Sequence, residues 1–362
     1  MNRKVSPKGW SGPADIAAQL ARMWDDGRMV AARITGESVF PLQLSLRRPG
    51  VEEIGSDFGE VQQWVRALDA GSSSAKGHGY QIVWRDINHR QTGRQRLPDA
   101  VLVPTEADAL RLIGRHADMR QFEQLATLTL NQFPQLSGWL ARRGLVMLEH
   151  APAWPRVLAI LSWFAANRRP QLYLRQLDIP GVDSKFIETR KALLAELLDQ
   201  VLPPEAMDLS AIGARRFEAR YGLRGKPPTV RFRMLDPRHY LGGFSDLSVP
   251  VAQFAQARFE VARVFITENE INGLAFPDKP DSMVVFGGGY GVDRLAEAAW
   301  LRDKEVIYWG DIDTHGFAIL DRLRAHVPHA RSLLMDSATL MAHRPMWGCE
   351  DADKRFGGEL VR

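Results

Sequence analysis

The chain has 362 residues, of which 45% are hydrophobic and 25% are charged, a composition typical of a globular protein with two or three domains. It contains no run of about 18 apolar residues and no apolar leader segment, which argues against a membrane span and a signal peptide. The single cysteine, Cys349, excludes an internal disulfide and favours a cytoplasmic protein, and the net charge of +4 leaves any DNA affinity to local basic surfaces.

Residues 1–150 are predicted to form a separate α+β domain. Apolar spacing indicates helices over residues 15–25 and 61–68, and alternation indicates strands over residues 39–46 and 80–88. The segment from residue 80 to residue 103 resembles a hairpin with several basic side chains, namely Arg85, His89, Arg90, Arg94 and Arg96. Such a hairpin suits contact with DNA or with a protein partner, and equally a plain solvated surface.

Residues 151–250 are predicted to form a winged-helix domain that binds DNA. Apolar spacing predicts three helices, over residues 154–167, 172–177 and 185–201. Lys185 and Arg190 lie early in the third helix, where a recognition helix meets the groove of DNA.

A basic segment, residues 215–238, supplies the predicted wing. It contains eight Arg or Lys residues against two acidic ones. Alternation over residues 229–234 predicts a half-exposed strand that places Arg231 and Arg233 on one face. Arginines in that position suit contact with phosphates, although a solvated surface is the ordinary alternative.

Residues 251–362 alternate between strand and helix patterns. Short apolar runs predict four strands, over residues 263–267, 282–286, 305–309 and 331–335. Helices are predicted from residue 270 and over residues 292–302 and 317–326. This alternation is typical of a parallel α/β sheet with right-handed crossovers. The predicted fold class of the whole chain is therefore multidomain α/β.

Three carboxylates follow the ends of two of these strands. Glu268 follows the first strand, and Asp311 and Asp313 follow the third. In a flavodoxin-like order those strands are neighbours, so the side chains would meet at the carboxyl edge of the sheet. Like charges so close together need a cation, and oxygen ligands suit Mg²⁺ or Mn²⁺, the ions of phosphate chemistry. The structural alternative is that an aspartate at a helix start is only an N-cap.

Four further residues are secondary candidates. Gly288 and Gly289 belong to a glycine-rich loop after the second strand, whose backbone amides would approach a phosphate. Glu270 and His315 lie beside the carboxylates in sequence. An acid in the first turn of a helix and a polar histidine in a loop also have ordinary structural explanations.

A dinucleotide-binding site is the main chemical alternative, because the glycine loop follows a strand and precedes a predicted helix. That fingerprint requires the spacing Gly-x-Gly-x-x-Gly. Here the third glycine position is occupied by Val292 or by Arg294, depending on the starting glycine. The spacing therefore argues against a dinucleotide, which would also leave Glu268 and Asp313 without a role.

These motifs resemble a known family. The glutamate, the glycine loop and Gly310-Asp311-x-Asp313-x-x-Gly316 resemble a Toprim domain, the metal-binding module of topoisomerases, primases and related nucleases. Gly-Asp-Ile-Asp-Thr-His-Gly is similar to the A subunits of type IIB topoisomerases. Together with Phe-Ile-Thr-Glu-Asn-Glu-Ile-Asn and Phe-Gly-Gly-Gly-Tyr-Gly, the pattern is similar to the JetD or MksG nuclease subunits of Wadjet anti-plasmid systems, over residues 150–345.

The motifs and the resemblance predict a metal-dependent endonuclease that hydrolyses double-stranded DNA. Two such sites across a dyad would cut both strands, so a homodimer is expected. The resemblance also implies a partner complex of the SMC or condensin type, which residues 1–150 would meet as an arm domain. It places a winged helix (CAP-like) before the Toprim-like domain, in the order predicted here.

Two alternatives remain at this stage, a topoisomerase-like transesterase and a non-catalytic subunit that senses DNA. A transesterase needs a nucleophilic tyrosine, and Tyr173, Tyr221 and Tyr240 are the tyrosines near the predicted winged helix. None of them lies in the paired-tyrosine context of the topoisomerases. The sequence therefore favours attack by water, which leaves free DNA ends rather than a protein–DNA adduct.

Overall fold

The computed structural model describes residues 9–89, 93–213 and 216–361, and the chain divides into two units, Met1–Gly225 and Lys226–Arg362. Arg90 and Arg215, two of the basic residues noted in the sequence, lie outside the described residues. No helix in the described ranges is long and apolar enough to cross a membrane. The division into three domains stays a prediction.

The N-terminal unit is mainly helical. Its three strands, β1 (Leu42–Ser45), β2 (Gln81–His89) and β3 (Gly93–Val103), form an antiparallel sheet with β3 in the centre. Its described helices are α1 (Pro13–Asp25), α2 (Arg28–Thr35), α3 (Val51–Ser56), α4 (Phe58–Gly71), α5 (Ser73–Lys76), α6 (Glu106–Ile113), α7 (His116–Gln132), α8 (Ser137–Glu149), α9 (Trp154–Ala166), α10 (Ser184–Glu188), α11 (Lys191–Val201) and α12 (Phe217–Arg220). Helix α9 lies in the core, where Trp154 stacks on Trp139 at 5.8 Å and donates a hydrogen bond to Thr129 Oγ1 at 2.8 Å.

The long third helix predicted for the winged-helix domain is broken. Helix α10 ends at Glu188 and α11 begins at Lys191. Between them the Thr189 amide and hydroxyl both donate to the Lys185 carbonyl, and Arg190 leaves the helical conformation with φ −122° and ψ 15°. The second predicted helix, residues 172–177, is only a 3-10 turn at Leu174–Gln176. The winged-helix assignment therefore stays a prediction, and a continuous helix over residues 185–201 is wrong.

The C-terminal unit is built on a six-stranded mixed sheet. Its strands are β4 (Thr229–Met234), β5 (Asp246–Pro250), β6 (Arg263–Thr267), β7 (Ser282–Phe286), β8 (Glu305–Trp309) and β9 (Arg331–Ser332), in the spatial order β5-β4-β7-β6-β8-β9. Strands β7, β6, β8 and β9 are parallel, and β4 and β5 are antiparallel additions. Its described helices are α13 (Val251–Gln256), α14 (Glu270–Leu274), α15 (Thr314–His326) and α16 (Ser337–Ala342).

Both faces of this sheet are covered by apolar side chains. Val264 and Ile266 of β6 point into one core, and Phe265 between them points into a second core on the opposite face. A strand buried on both faces reads as a continuous apolar run, as the sequence of β6 does. The predicted neighbourhood of the first and third strands of the parallel sheet is confirmed, because β6 pairs with β8.

Three predictions for this unit are corrected. The strand Thr229–Met234 is not a wing of the preceding helical block, because it pairs with β7 inside the C-terminal sheet. Residues 292–302 form 3-10 turns rather than an α-helix, since apolar side chains are buried at every third position, the period of a 3-10 helix. Those positions are Val292, Leu295, Ala298 and Leu301. The last predicted strand stops at Ser332, and Leu334 adopts a positive φ of 57°.

Candidate metal centre

The pairing of β6 with β8 brings Glu268 and Asp311 together at the carboxyl edge of the sheet. Thr267 lies opposite Trp309 in the register, and the Glu268 amide donates to the Trp309 carbonyl at 3.0 Å. The Asp311 amide in turn donates to Glu268 Oε2 at 3.2 Å. The glutamate is therefore held against the loop that carries both aspartates.

Asp313 is the N-cap of α15. Its Oδ1 accepts a hydrogen bond from the Gly316 amide at 2.7 Å, which satisfies one of the free amides of the first turn. Gly316 approaches the Asp311 carbonyl so closely that a Cβ at this position would overlap it. The glycine therefore lets residues 311–316 form a tight turn that keeps Asp311 and Asp313 near the end of β8.

Tyr308 lies beneath the carboxylates and was not singled out from the sequence. This buried side chain donates its hydroxyl hydrogen to Glu268 Oε2 at 3.1 Å. Burial, followed by the negative charge of Glu268, raises the pKa of Tyr308 far above its usual value. The charges of Asp311 and Asp313 act in the same direction, so all three carboxylates lie within electrostatic reach of one hydroxyl. Tyr308 is thus a neutral donor that orients Glu268.

Among the described residues, no basic side chain compensates the charge of this acidic cluster (Glu268, Asp311 and Asp313). Within the described residues, no Lys, Arg or His nitrogen lies within 4.0 Å of these carboxylates. Their oxygens are also not all within 4.8 Å of one another in the described part of the chain. The cluster is therefore open rather than collapsed, and it repels itself unless a cation is present.

The residues of the acidic cluster fit a divalent cation. All the side-chain atoms that could bind the metal are carboxylate oxygens, the ligands that Mg²⁺ and Mn²⁺ prefer. A Cβ at Gly310 would lie 2.7 Å from Glu268 Oε2, so the bare glycine leaves space beside that oxygen. An oxygen-rich site whose carboxylates have no basic partner among the described residues is what a hard cation requires.

The glycine loop lies at the same edge of the sheet. The Gly287 amide donates to the Thr267 carbonyl at 2.9 Å, next to Glu268 in the chain. Gly288 and Gly289 have φ values of 58° and 65°, a left-handed backbone that glycine adopts without strain. The role of these two glycines in binding a phosphate stays a prediction.

The two secondary candidates of this region have partners in the structure. Glu270, whose side chain is 64% exposed, forms an ion pair with Arg231. His315 Nε2 donates to the Lys354 carbonyl at 2.6 Å and lies 3.9 Å from Glu350 Oε1. Neither residue contacts the acidic cluster through a described hydrogen bond, and a role for either in chemistry stays a prediction.

The basic residues predicted to bind DNA are distributed over both units. In the C-terminal unit, Arg231 pairs with Asp246 at 2.6 Å as well as with Glu270, and Arg233 donates to the Leu274 and Phe276 carbonyls at 2.5 Å. These bonds fasten α14 to β4.

In the N-terminal unit, Lys185 is exposed on α10. The Arg190 guanidinium lies 4.2 Å from the ring centroid of Phe186, beneath the break between α10 and α11. DNA contact by Lys185, Arg190, Arg231 and Arg233 stays a prediction.

A second acidic group lies in the same unit and was not predicted. Asp236, His239 and Asp281 bring potential ligand atoms within 4.8 Å of one another, the one such group in the described residues. Arg238 occupies it: its guanidinium donates to Asp236 Oδ2 at 2.7 Å and to Asp281 Oδ1 at 3.3 Å. These bonds hold the pKa of the Asp236 carboxyl well below its usual range. Because a positive guanidinium already lies between the two carboxylates, we assign this group a structural role in the turn rather than a metal site.

The fold and the site define an α/β protein with an open acidic site at the carboxyl edge of parallel strands. Two family models match its sequence. Residues 13–199 match a family model described as an uncharacterized protein conserved in bacteria, N-terminal (DUF3322), and residues 222–362 match the model of the Wadjet protein JetD, C-terminal. The chain belongs to the JetD family of Wadjet proteins, which confirms that part of the resemblance inferred from the motifs. The relation to Toprim domains stays a prediction. A search of curated proteins found no match.

Proposed function

We propose that this JetD-type protein is a metal-dependent endonuclease that hydrolyses double-stranded DNA. The observation that carries the proposal is the acidic cluster, whose three carboxylates lie at one edge of the sheet without a basic partner among the described residues. Family membership makes the chain a component of a Wadjet anti-plasmid system, for which plasmid DNA is the natural substrate class.

Glu268, Asp311 and Asp313 would hold Mg²⁺ or Mn²⁺, which would polarise the scissile phosphate and stabilise charge on the leaving oxygen. Tyr308 orients Glu268 through its hydroxyl, and the Asp311 amide holds the same oxygen from the other side. Asp313 is kept in place by its bond to Gly316. Gly288 and Gly289 would offer backbone amides to a phosphate oxygen at the same edge.

Two kinds of partner are expected: a second copy of the chain, because two DNA strands are to be cut, and the SMC-type complex that the family implies. We propose a cytoplasmic homodimer, in which one acidic cluster acts on each strand. A complex of the SMC type would deliver the DNA, since Wadjet membership implies association with such a complex. Lys185, Arg190, Arg231 and Arg233 would contact the DNA backbone, and the arginines would then exchange their present partners for phosphates.

Two buried tyrosines, Tyr221 near the predicted winged helix and Tyr308 at the acidic cluster, do not favour covalent catalysis. Tyr221 is fully buried and donates to Asp199 Oδ1 at 2.6 Å, and burial together with that carboxylate raises its pKa. Tyr308, the tyrosine nearest the acidic cluster, is likewise buried and neutral. Water is therefore the preferred nucleophile of the proposal.

The test is cleavage of circular DNA by the full-length protein with its SMC-type partners, in Mg²⁺ or Mn²⁺, followed by detergent and protease treatment. We expect free linear ends from the wild type and a rate at least about 10³-fold lower from Asp311→Asn, the loss of about 4 kcal/mol of transition-state stabilisation. Asp303→Asn is the matched control, since Asp303 is an exposed acid preceding β8, at the opposite edge of the sheet.

Three outcomes would contradict the proposal in different ways. Wild-type rates from Asp311→Asn would move any nuclease activity to another site. Protein attached to the cut ends would support the transesterase. Tight binding of circular DNA without cleavage, with either metal and with partners present, would favour the DNA-sensing subunit.

A further inference from the structure

The segment that follows α16 folds back onto the start of α15, next to Asp313. This C-terminal strap (residues 348–361) and the first turn of α15 enclose an open cavity of about 760 Å³. Asp313 and Glu350 both line the cavity. The strap is therefore a wall of the space beside the acidic cluster.

Thr314 is the point where the strap is fastened. Its hydroxyl lies 2.9 and 2.8 Å from the two Glu350 carboxylate oxygens, to which it donates. The same hydroxyl oxygen accepts a hydrogen bond from the Phe356 amide at 2.8 Å. Thr314 directly follows Asp313, so these bonds reach the candidate ligand through a single peptide unit.

Two further contacts hold the strap on α15. His315 donates to the Lys354 carbonyl, and the Val361 amide donates to Asp321 Oδ1 at 2.9 Å. Within the strap, the Arg355 guanidinium donates to the Glu350 carbonyl at 2.9 Å, which fixes the backbone of the glutamate itself. Glu350 is thus held on both its backbone and its side chain, with the side chain only 22% exposed.

Electrostatic repulsion from the acidic cluster disfavours a carboxylate at the position of Glu350. Its carboxylate adds a negative charge one residue away from Asp313, a member of a cluster with no basic partner among the described residues, and like charges at short range destabilise one another. Within the described residues, the nearest basic group to its carboxylate is His315 at 3.9 Å, and Arg355 bonds its carbonyl rather than its carboxylate. The bond to Thr314 is the contact that compensates this placement.

We propose that Glu350 is a positioning residue of the candidate metal centre, which fixes the Asp311–Asp313 loop through the Thr314 hydroxyl. The inference rests on the proposed function and adds a residue from outside the Toprim-like motifs. Outer partners of metal ligands set the orientation of those ligands, and their loss lowers metal affinity or activity by about 10–100-fold. Glu350 lies 36 positions from Thr314 in the chain, so no local motif reveals it.

The test measures Mn²⁺ affinity of the full-length protein by direct titration, together with hydrogen exchange of the amides of residues 311–317. Glu350→Ala and Thr314→Val should each weaken Mn²⁺ binding about 10–100-fold and accelerate exchange in that loop. The double variant should be no weaker than Thr314→Val alone, because Thr314→Val already removes the bond to Glu350 together with the one from the Phe356 amide. Glu350→Gln keeps an acceptor oxygen, so it should bind Mn²⁺ within about threefold of the wild type.

Asp353→Ala is the matched control, since it removes an exposed acid from the same strap and should leave Mn²⁺ affinity and exchange unchanged. In cleavage, Glu350→Ala should lower kcat and leave the KM for DNA unchanged.

Wild-type Mn²⁺ affinity in Glu350→Ala would overturn the inference while leaving the proposed function intact. A Glu350→Gln variant as weak as Glu350→Ala would also overturn it, since the charge itself would then be needed. A wild-type protein that does not bind Mn²⁺ would instead refute the proposed metal centre, and the positioning role with it.

Discussion

The C-terminal unit contains two groups of acidic side chains, and an arginine pairs with the described carboxylates of only one of them. Asp236 and Asp281 share the guanidinium of Arg238, which donates to both carboxylates. The acidic cluster at the ends of β6 and β8 has no such partner in the described structure. Both groups lie at the end of a strand or in a turn of the same sheet, so local fold does not explain the difference.

The contrast separates a structural role from a chemical one. The Asp236 group has the tighter geometry, and taken alone that would select it as the metal site. Arg238 makes that selection wrong, since a cation entering the group would have to displace an existing positive charge. The acidic cluster is looser, yet its charge remains to be neutralised. Charge balance, rather than the distance between ligand atoms, therefore identifies the candidate metal centre.

The comparison predicts opposite behaviour of the two groups toward metal, and this is the largest expected effect. Mn²⁺ at about 100 times its Kd should raise the free energy of unfolding of the wild type by about 2.7 kcal/mol. Asp311→Asn should abolish this increase and leave the metal-free protein as stable as the wild type or more stable, because repulsion is relieved. Asp236→Asn should keep the full metal effect on a less stable protein. Thermal unfolding with and without Mn²⁺ measures both.

A metal effect that survives in Asp311→Asn and disappears in Asp236→Asn would reverse the assignment of the two groups. Asp303→Asn serves as the control for general loss of negative charge, and it should unfold like the wild type with and without Mn²⁺.

Several features of the fold could be predicted from the sequence because they depend on local patterns. Strands β6, β7 and β8 have the predicted bounds, since each is a short apolar run that ends abruptly at a polar or glycine residue. The alternation of residues 229–234 also predicted β4 correctly. Alternation reports which face is buried, but not which strand lies alongside, and so the assignment of β4 to a wing was wrong.

Only part of the candidate site could be predicted from the sequence. The strand order brought Glu268 to Asp311 as expected, because a parallel sheet places strand ends at one edge. The residues that the sequence analysis missed act across the fold: Tyr308 bonds a side chain 40 positions away, and Glu350 one 36 positions away. Arg238 was counted as part of a basic surface, although Asp236 lies only two residues before it. Its bond to Asp281 depends on the tertiary fold.

A smaller effect, on the free energy of unfolding and on Mn²⁺ affinity, is expected from removing the hydroxyl of Tyr308 or of Tyr221. Tyr308 and Tyr221 are both fully buried and both donate to a carboxylate, Glu268 and Asp199 respectively. Asp199 is also paired with Arg220 at 2.8 Å, whereas Glu268 has no basic partner in the described residues.

Tyr308→Phe and Tyr221→Phe should therefore each lower the free energy of unfolding by about 1–2 kcal/mol, the loss of a hydrogen bond to a charged group. In Mn²⁺ titrations, however, Tyr308→Phe should weaken binding several-fold, and Tyr221→Phe should bind as the wild type does. Equal Mn²⁺ affinities in the two variants would show that Tyr308 does not orient Glu268.

The smallest expected effect concerns pH and the Asp236 group. The hydrogen bond from Arg238 depresses the pKa of Asp236 in the folded protein, so the ionised form is favoured by folding. A depressed carboxyl pKa contributes stability that is present above the unfolded value, about 3.9, and is lost as the pH falls through that value toward the folded one. Arg238→Gln removes the cause of the depression.

The Arg238→Gln variant should be less stable than the wild type at pH 7, and the difference should shrink as the pH falls below about 4. The loss should be modest because the guanidinium is 66% exposed and screened by water. Unfolding midpoints measured from pH 7 to pH 3 test this, with Arg302→Gln, an exposed arginine, as the control. A constant difference between Arg238→Gln and the wild type over this range would mean that Arg238 acts through packing rather than by neutralising Asp236. The contrast between the two acidic groups would then lose its electrostatic basis.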